Sequence, residues 1–472
     1  MENAGGTPAL CMLAFENERD RDRPAAARPM TGSATALLRL LAASLLVGGA
    51  AFLVSLAFWP IEPGPGIWLI RRYEALSLEP FGPSQYSHRI LAPLLAHALQ
   101  LDGERFRIFT LGCSVLLLAG IYAYCRRAGV APVGSALVVL AFALTRTVGN
   151  SSLFPGLTDT LSYLLLLLGL MALKRPFAFW ALFALNLLNH EQIAFLLPWL
   201  LYVRWTAGAA PLRTDAALGL LALVLYAVLR KALGGGVAAL HVAYTVRPPI
   251  DYLAEYGMVW WFLWTSFGFL LALLIAYGAS GRRERTSALL CLACSAAPYL
   301  VAWDPYRYIH LAFGVFLMAA VWLLRMRGGL GVFAALLAGN VLLFFASRWI
   351  MDLAVARIET GCQGAADPVR CIHLATLRFT LPSLAVLPLM VWVARRQDRE
   401  RGTKAREVRV AQGARELGDQ GSGGEGVAHR SCVHHAFPAR RGARPVLTAR
   451  AQERARARAA AGSAGGAGRP TP

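Results

Sequence analysis

The chain has 472 residues, of which 57% are hydrophobic and 16% charged, with a mean hydropathy of +0.49 and a net charge of +20. Soluble domains carry roughly 25% charged residues, and here the apolar residues come in long blocks with short polar punctuation. This excludes an ordinary cytosolic enzyme, a disulfide-stapled secreted module and a disordered chain, and leaves an all-α, polytopic transmembrane helix bundle.

Residues 1–34 are polar and mixed in charge, and read as a disordered N-terminal segment. The block 35–58 is too long for a signal core and fits a spanning helix. Further apolar blocks follow at 106–124, 131–147, 157–173, 215–232, 259–279, 287–303, 310–324, 329–347 and 376–394. Together these predict about ten full spans, each crossing a core of about 30 Å with some tilt. The multi-span domain is therefore 35–394. The tail, 395–472, holds 17 Arg/Lys and 7 Asp/Glu, half of the net charge, and has no apolar run long enough for a core. It reads as disordered, with membrane lipids and not nucleic acid as its electrostatic partner, because no aromatic interleaving or fold motif accompanies the charge.

The stretch 176–204 is apolar but interrupted by Asn189-His190-Glu191-Gln192. Two readings compete: one long span, or two half-length helices, 177–188 and 193–203, meeting at a polar turn. With the N-terminus in the cytoplasm, only two halves put Arg126-Arg127, Lys174-Arg175, Arg204, Arg213, Arg282-Arg283, Arg325 and the tail on the inside, as the positive-inside rule requires. The expected location is thus a cell membrane, with both termini cytoplasmic. Of the 15 Asp/Glu between residues 31 and 394, only Asp215 and Glu284 then fall inside. A functional site should face away from the cytoplasm.

The outer segments carry the candidate chemistry. The first, 59–105, contains Glu62 and two stretches suited to lie along the membrane surface, 67–76 and 86–97. In the second, Arg89 beside His88 suits bidentate phosphate recognition, with headgroup snorkelling as the plain alternative. Asp159 opens an outer helix end, where it also suits an ordinary first-turn residue. His190 and Glu191 interrupt an apolar stretch, where ionisable groups cost roughly 2.5–3.5 kcal/mol each on insertion scales, so a base, a metal ligand or a substrate clamp is expected there. A helix–helix hydrogen-bond cluster is the competing explanation. The turn Trp303-Asp304-Pro305-Tyr306-Arg307-Tyr308-Ile309-His310 concentrates an acid, a base, phenols and an imidazole. An interfacial aromatic belt explains its Trp and Tyr better than it explains Asp304, Arg307 and His310. Cys362 and Cys371, nine residues apart in the last outer loop, are expected to pair in an oxidising compartment. Cys291 and Cys294 lie inside a span and read as packing. No metal site is assigned: Cys432 with His429, His434 and His435 lies in the tail without a second ligand pair.

Taken together, the segment Tyr86-x-His88-Arg89-Ile90-Leu91-x-Pro93, the helix-opening Thr158-Asp159, the break His190-Glu191 before an apolar run to Pro198, and Asp304-Pro305-Tyr306-Arg307 resemble the GT-C class of integral-membrane glycosyltransferases. The resemblance covers roughly 35–394. It implies transfer of a sugar from a polyprenyl-phosphate lipid donor to an acceptor on the outer face. A carboxylate would activate the acceptor hydroxyl, and arginines would stabilise the leaving phosphate. Glu62, Asp159 and Glu191 are the candidate catalytic residues. His88, Arg89, His190, Asp304, Tyr306, Arg307 and His310 are the candidate substrate contacts. The sequence departs from the class after the first span, where GT-C enzymes carry an Asp and this chain has none before Asp102. Glu62 is the nearest acid, so the base stays open among the three. The cofactor is unspecified, a divalent cation being one option, and so is the oligomeric state. A transporter or flippase for an anionic or lipid-linked substrate is the first alternative, since broken helices also mark transporters. An acyltransferase using Asn189 and His190 and a non-enzymatic assembly subunit complete the set.

Overall fold

The structure is a computed structural model that describes residues 34–59, 68–82, 89–233, 266–300, 309–326 and 328–342. Every regular element among them is helical. Glu62, His88, Asp304, Tyr306, Arg307, Cys362 and Cys371 lie outside the described residues, as do the 376–394 span, residues 1–33 and the basic tail.

The first half of the chain gives α1 (Ala34–Phe58), α2 (Trp68–Leu78), α3 (Leu91–Ala98), α4 (Phe106–Arg127), α5 (Pro132–Ala143), α6 (Arg146–Leu153) and α7 (Asp159–Met171). Then follow α8 (Pro176–Asn189), a 3₁₀ turn Glu191–Leu196, α9 (Leu197–Thr206) and α10 (Leu212–Ala232). The last described elements are α11 (Leu270–Ser280), α12 (Arg282–Ala296), α13 (Phe313–Leu324) and α14 (Gly329–Leu342). Prolines fix several starts: Pro132 and Pro176 occupy first turns, where the missing N–H costs nothing.

Three helices are long and apolar enough to cross a membrane: Ala34–Phe58, Gly103–Arg127 and Leu212–Ala232. The expected span 131–147 is instead a bent pair, α5 and α6, meeting at 52°. The physical reason is local: Thr145 leaves the helical path in extended conformation, and its hydroxyl donates back to the Phe142 carbonyl at 2.7 Å. The other apolar helices run 10–17 residues, so about ten full-length spans do not emerge among the described residues. The two surface stretches of the first outer segment are helical, as α2 and α3.

The core is formed by α1 against α4 and α5, α4 and α8 against α7, and α11 against α12 and α13. Close approach depends on small residues, as expected where lipid offers no hydrophobic contrast. A Cβ on Gly48 of α1 would lie 2.7 Å from the Ala119 amide of α4, and one on Gly314 would lie 2.9 Å from the Trp199 ring. Outward faces stay apolar: Leu38, Leu46 and Leu53 of α1 are exposed, as are Leu221, Val224 and Val228 of α10. Cys291 and Cys294 are free, buried thiols, in line with a packing role.

The stretch around residues 176–204 reverses direction at its polar break. Arg204, near the end of α9, donates to the carbonyl of Leu173, just before α8. Its guanidinium lies 4.7 Å from the Phe179 ring centroid and 5.9 Å from that of Trp180. Asp215, opening α10, forms an ion pair with Arg204 (Oδ1 to Nη2, 2.8 Å) and accepts from Trp180 Nε1 at 2.9 Å. A single continuous helix would hold residues 173 and 204 about 46 Å apart, so these contacts require a hairpin.

The basic turns behave alike. Arg325 donates to the Ala128 carbonyl, Arg126 to Val130, Arg283 to Thr206, and the Tyr202 hydroxyl to the Arg283 carbonyl. Tyr277 lies within electrostatic reach of Tyr124, Tyr202 and Arg283. The turns that the sequence assigns to one side of a membrane thus share one end of the bundle. The break at His190 and the start of α7 lie at the other.

Candidate functional site

The site is assembled at that other end by the break between α8 and α9. His190 is extended (φ −153, ψ 108), so α8 stops at Asn189 and the chain turns into the 3₁₀ segment opened by Glu191. Four consecutive polar residues accompany this turn, and the side chains of Asn189, His190 and Glu191 bond sideways to neighbouring elements. Asn189 Nδ2 donates to the Thr158 carbonyl at 2.9 Å and to Ser162 Oγ at 2.7 Å, and Asn186 Nδ2 donates to the Ser162 carbonyl at 2.9 Å. These bonds pin the break against the first turn of α7.

That pinning sets the first pair. Asp159, the first residue of α7, places Oδ1 3.3 Å from His190 Nε2, with both side chains at least 90% buried (5% and 10% exposed). The helix N-terminus adds partial positive charge beside the carboxylate. Thr158 makes no side-chain cap, and the Asp159 carboxylate is directed across to His190 at the end of α8.

The second pair is adjacent in sequence. Arg89, just before α3, forms a fork on Glu191: Nε donates to Oε2 at 2.8 Å and Nη2 to Oε1. Its remaining Nη1 donates to the Tyr73 hydroxyl of α2 at 3.1 Å. Burial works against the Arg89 charge, but Glu191 and Tyr73 outweigh it and hold the guanidinium's pKa well above its ordinary value. Bidentate, charge-assisted bonds of this kind are the strong ones. The guanidinium expected to wait for a phosphate is therefore engaged with an internal carboxylate, and the surface segment α2–α3 is tied to the break.

His310, in the turn before α13, is the third element. Its Nε2 lies 2.9 Å from Ser266 Oγ, and the rings of Tyr163 and Phe267 flank it edge-on at 6.5 and 6.2 Å. Asp159 and Arg146 both act on it electrostatically. Arg146, the first residue of α6, sits 5.9 Å from the Trp59 ring centroid.

Of the sequence-derived candidates, Arg89, Asp159, His190, Glu191 and His310 are thus gathered at one end. Tyr73, Ser266 and Arg146 belong to the same constellation without having been singled out. Arg146 did carry a signal, an ionisable residue between two apolar runs. Tyr73 and Ser266 carried none, because a Tyr in a surface helix and a Ser near a span are common. Among the described residues no group of three or more His, Cys, Asp or Glu could hold a metal ion. Comparison with protein-family models, curated proteins and solved structures gives no match to this chain.

Proposed function

We propose that this protein is a membrane glycosyltransferase that moves a sugar from a polyprenyl-phosphate donor to an acceptor at the end of the bundle holding Asp159 and His190. The observation that carries this reading is the gathering there of a buried carboxylate–imidazole pair, an Arg–carboxylate fork and a further buried imidazole. These groups come from segments more than two hundred residues apart. Burying this many ionisable groups is costly unless they are used.

The proposed step is simple in its balance. The acceptor hydroxyl gives its proton to Asp159, and its oxygen attacks the anomeric carbon. The bond from that carbon to the phosphate oxygen breaks, and polyprenyl phosphate departs. His190 holds the Asp159 carboxylate in place and shares the incoming proton. Glu191 is occupied by Arg89, which favours a positioning role for it and leaves Asp159 as the better base. The basic turns at the opposite end favour a site facing away from the cytoplasm and cytoplasmic termini, in a bundle of about ten full spans with α8 and α9 as two further half-length helices.

The test is transfer from polyprenyl-phosphate hexoses and pentoses in membranes containing the full chain. Asp159→Asn should lower kcat by about 10²–10⁴-fold, the usual contribution of a general base, with the protein still inserted. Wild-type turnover by Asp159→Asn would refute the assignment.

One observation favours a transporter instead. The hairpin carries a buried ion pair at each end, Arg89–Glu191 and Arg204–Asp215, as expected of paired gates around a broken helix. That reading predicts net movement of an anionic or lipid-linked substrate that survives Asp159→Asn.

A further inference from the structure

The site end carries cations of its own, Arg71 and Arg72 on α2, Arg105 and Arg107 at the start of α4 and Arg146 on α6, and one further pair lies on a lipid-facing helix. Arg230 and Lys231 close α10. Asp215, at the start of α10, is bonded to Arg204 at the basic end. At about 1.5 Å per residue, Tyr226 lies some 16 Å along the axis from Asp215 and Arg230 about 22 Å. From Trp180, which holds the same Asp215, α8 climbs about 14 Å to its end at Asn189. Tyr226 is therefore level with the break, and Arg230 stands one turn beyond it.

Three facts set this turn apart. First, the apolar stretch of α10 is only 17% buried, with Leu221, Val224, Leu225 and Val228 all more than half exposed. Secondly, Tyr226 is half-buried on the inner side and lies within electrostatic reach of Glu191, Arg89 and Arg230 together. Thirdly, among the described residues neither Arg230 nor Lys231 forms an ion pair; the exposed Arg71, Arg72 and Arg105 share this, but they lie on the surface segment and not at the end of a long apolar helix face. The other long lipid-facing helix, α1, ends at this level with no basic residue in its last turn. Snorkelling explains two cations at a helix end. It does not explain why the preceding turn carries a phenol within electrostatic reach of the Arg89–Glu191 fork.

We infer that the last turn of α10 is the docking site for the phosphate of the polyprenyl-phosphate donor. The isoprenoid chain lies along Leu221, Val224, Leu225 and Val228. Arg230 and Lys231 take the phosphate, and Tyr226 marks the way inward to Arg89. The polyprenyl identity rests on the glycosyltransferase reading; the phosphate site rests on α10 itself. The charge complementarity is direct, since two cations at the end of an apolar face, without an ion pair among the described residues, match an anionic head on an apolar chain.

The experiment uses the full chain in phosphatidylcholine nanodiscs and measures binding of radiolabelled polyprenyl monophosphate. Arg230→Gln with Lys231→Gln should weaken binding roughly tenfold or more, given about 1 kcal/mol per cation near an anionic head. The pair Lys174→Gln with Arg175→Gln, at the opposite end, should leave it unchanged. Phosphatidic acid and inorganic phosphate should not compete. Undiminished binding by the Arg230/Lys231 variant overturns the site. Equal competition by phosphatidic acid also overturns it, since the turn would then be a general headgroup contact. The two proposals fail separately. Binding that depends on Arg230 without any transfer refutes the enzyme and keeps the site. Transfer with binding indifferent to Arg230 and Lys231 refutes the site and keeps the enzyme.

Discussion

Replacing Asp215 by Asn tests the hairpin on which the site depends. Arg204 is fully buried, and the side chains of the pair are 0% and 1% exposed. Asp215 Oδ1 pairs with Arg204 Nη2 by charge and accepts from Trp180 Nε1, while among the described residues Arg204 Nε and Nη2 and Asp215 Oδ2 have no hydrogen-bond partner. Asn keeps an acceptor for Trp180 but leaves the Arg204 cation without its counter-charge. Such a loss costs about 3–5 kcal/mol. The Phe179 and Trp180 rings still face the guanidinium and retain up to about 2 kcal/mol, which places the expected loss near the lower limit, about 3 kcal/mol. Arg204→Met combined with Asp215→Leu removes both charges and should lie within about 1 kcal/mol of wild type. The assay is reversible unfolding of the full chain in mixed micelles titrated with dodecyl sulfate. A loss below about 1 kcal/mol for Asp215→Asn, or a double variant as unstable as the two single variants summed, would mean that the ends of the 173–204 stretch do not meet.

Three further outcomes are expected. Gly48→Leu should cost about 1–3 kcal/mol in the same unfolding assay, because the new side chain meets the Ala119 backbone and not a movable side chain; unchanged stability would contradict the α1–α4 contact. Asn189→Leu removes the bonds to Thr158 and Ser162 and should cost about 1–3 kcal/mol, with a larger fall in transfer activity than in stability if the break positions His190; activity that only tracks stability would argue against this. In a cysteine-free background, Leu99→Cys should react with a membrane-impermeant thiol reagent from outside, while Val133→Cys and Phe177→Cys, exposed at the basic end, should not. Labelling of all three from outside would defeat the proposed orientation.

The sequence by itself determined the class of fold and the place of the break. Long apolar blocks can be satisfied in lipid only as helices, and no helix holds Asn189-His190-Glu191-Gln192 against lipid without a use for their polar groups. The placement of basic turns likewise foretold which ends would meet, and Arg204 on the Leu173 carbonyl agrees with it. Pairing was another matter. Glu191 and Arg89 are 102 residues apart, and their fork exists because α2 and α3 fold over the break. His190 selects Asp159 through two asparagine side chains that fix the rotation of α8 against α7. Ser266 meets His310 only through the packing around α13. A hydrophobic pattern specifies which face of a helix is apolar, but not which neighbour it meets or at what height. The kink after α5 shows the same limit from the other side: a stretch apolar enough for one span became two helices because a single Thr hydroxyl bonded back to its own chain. Side-chain partners, and with them the chemistry, were decided only when close packing set helix rotation and depth.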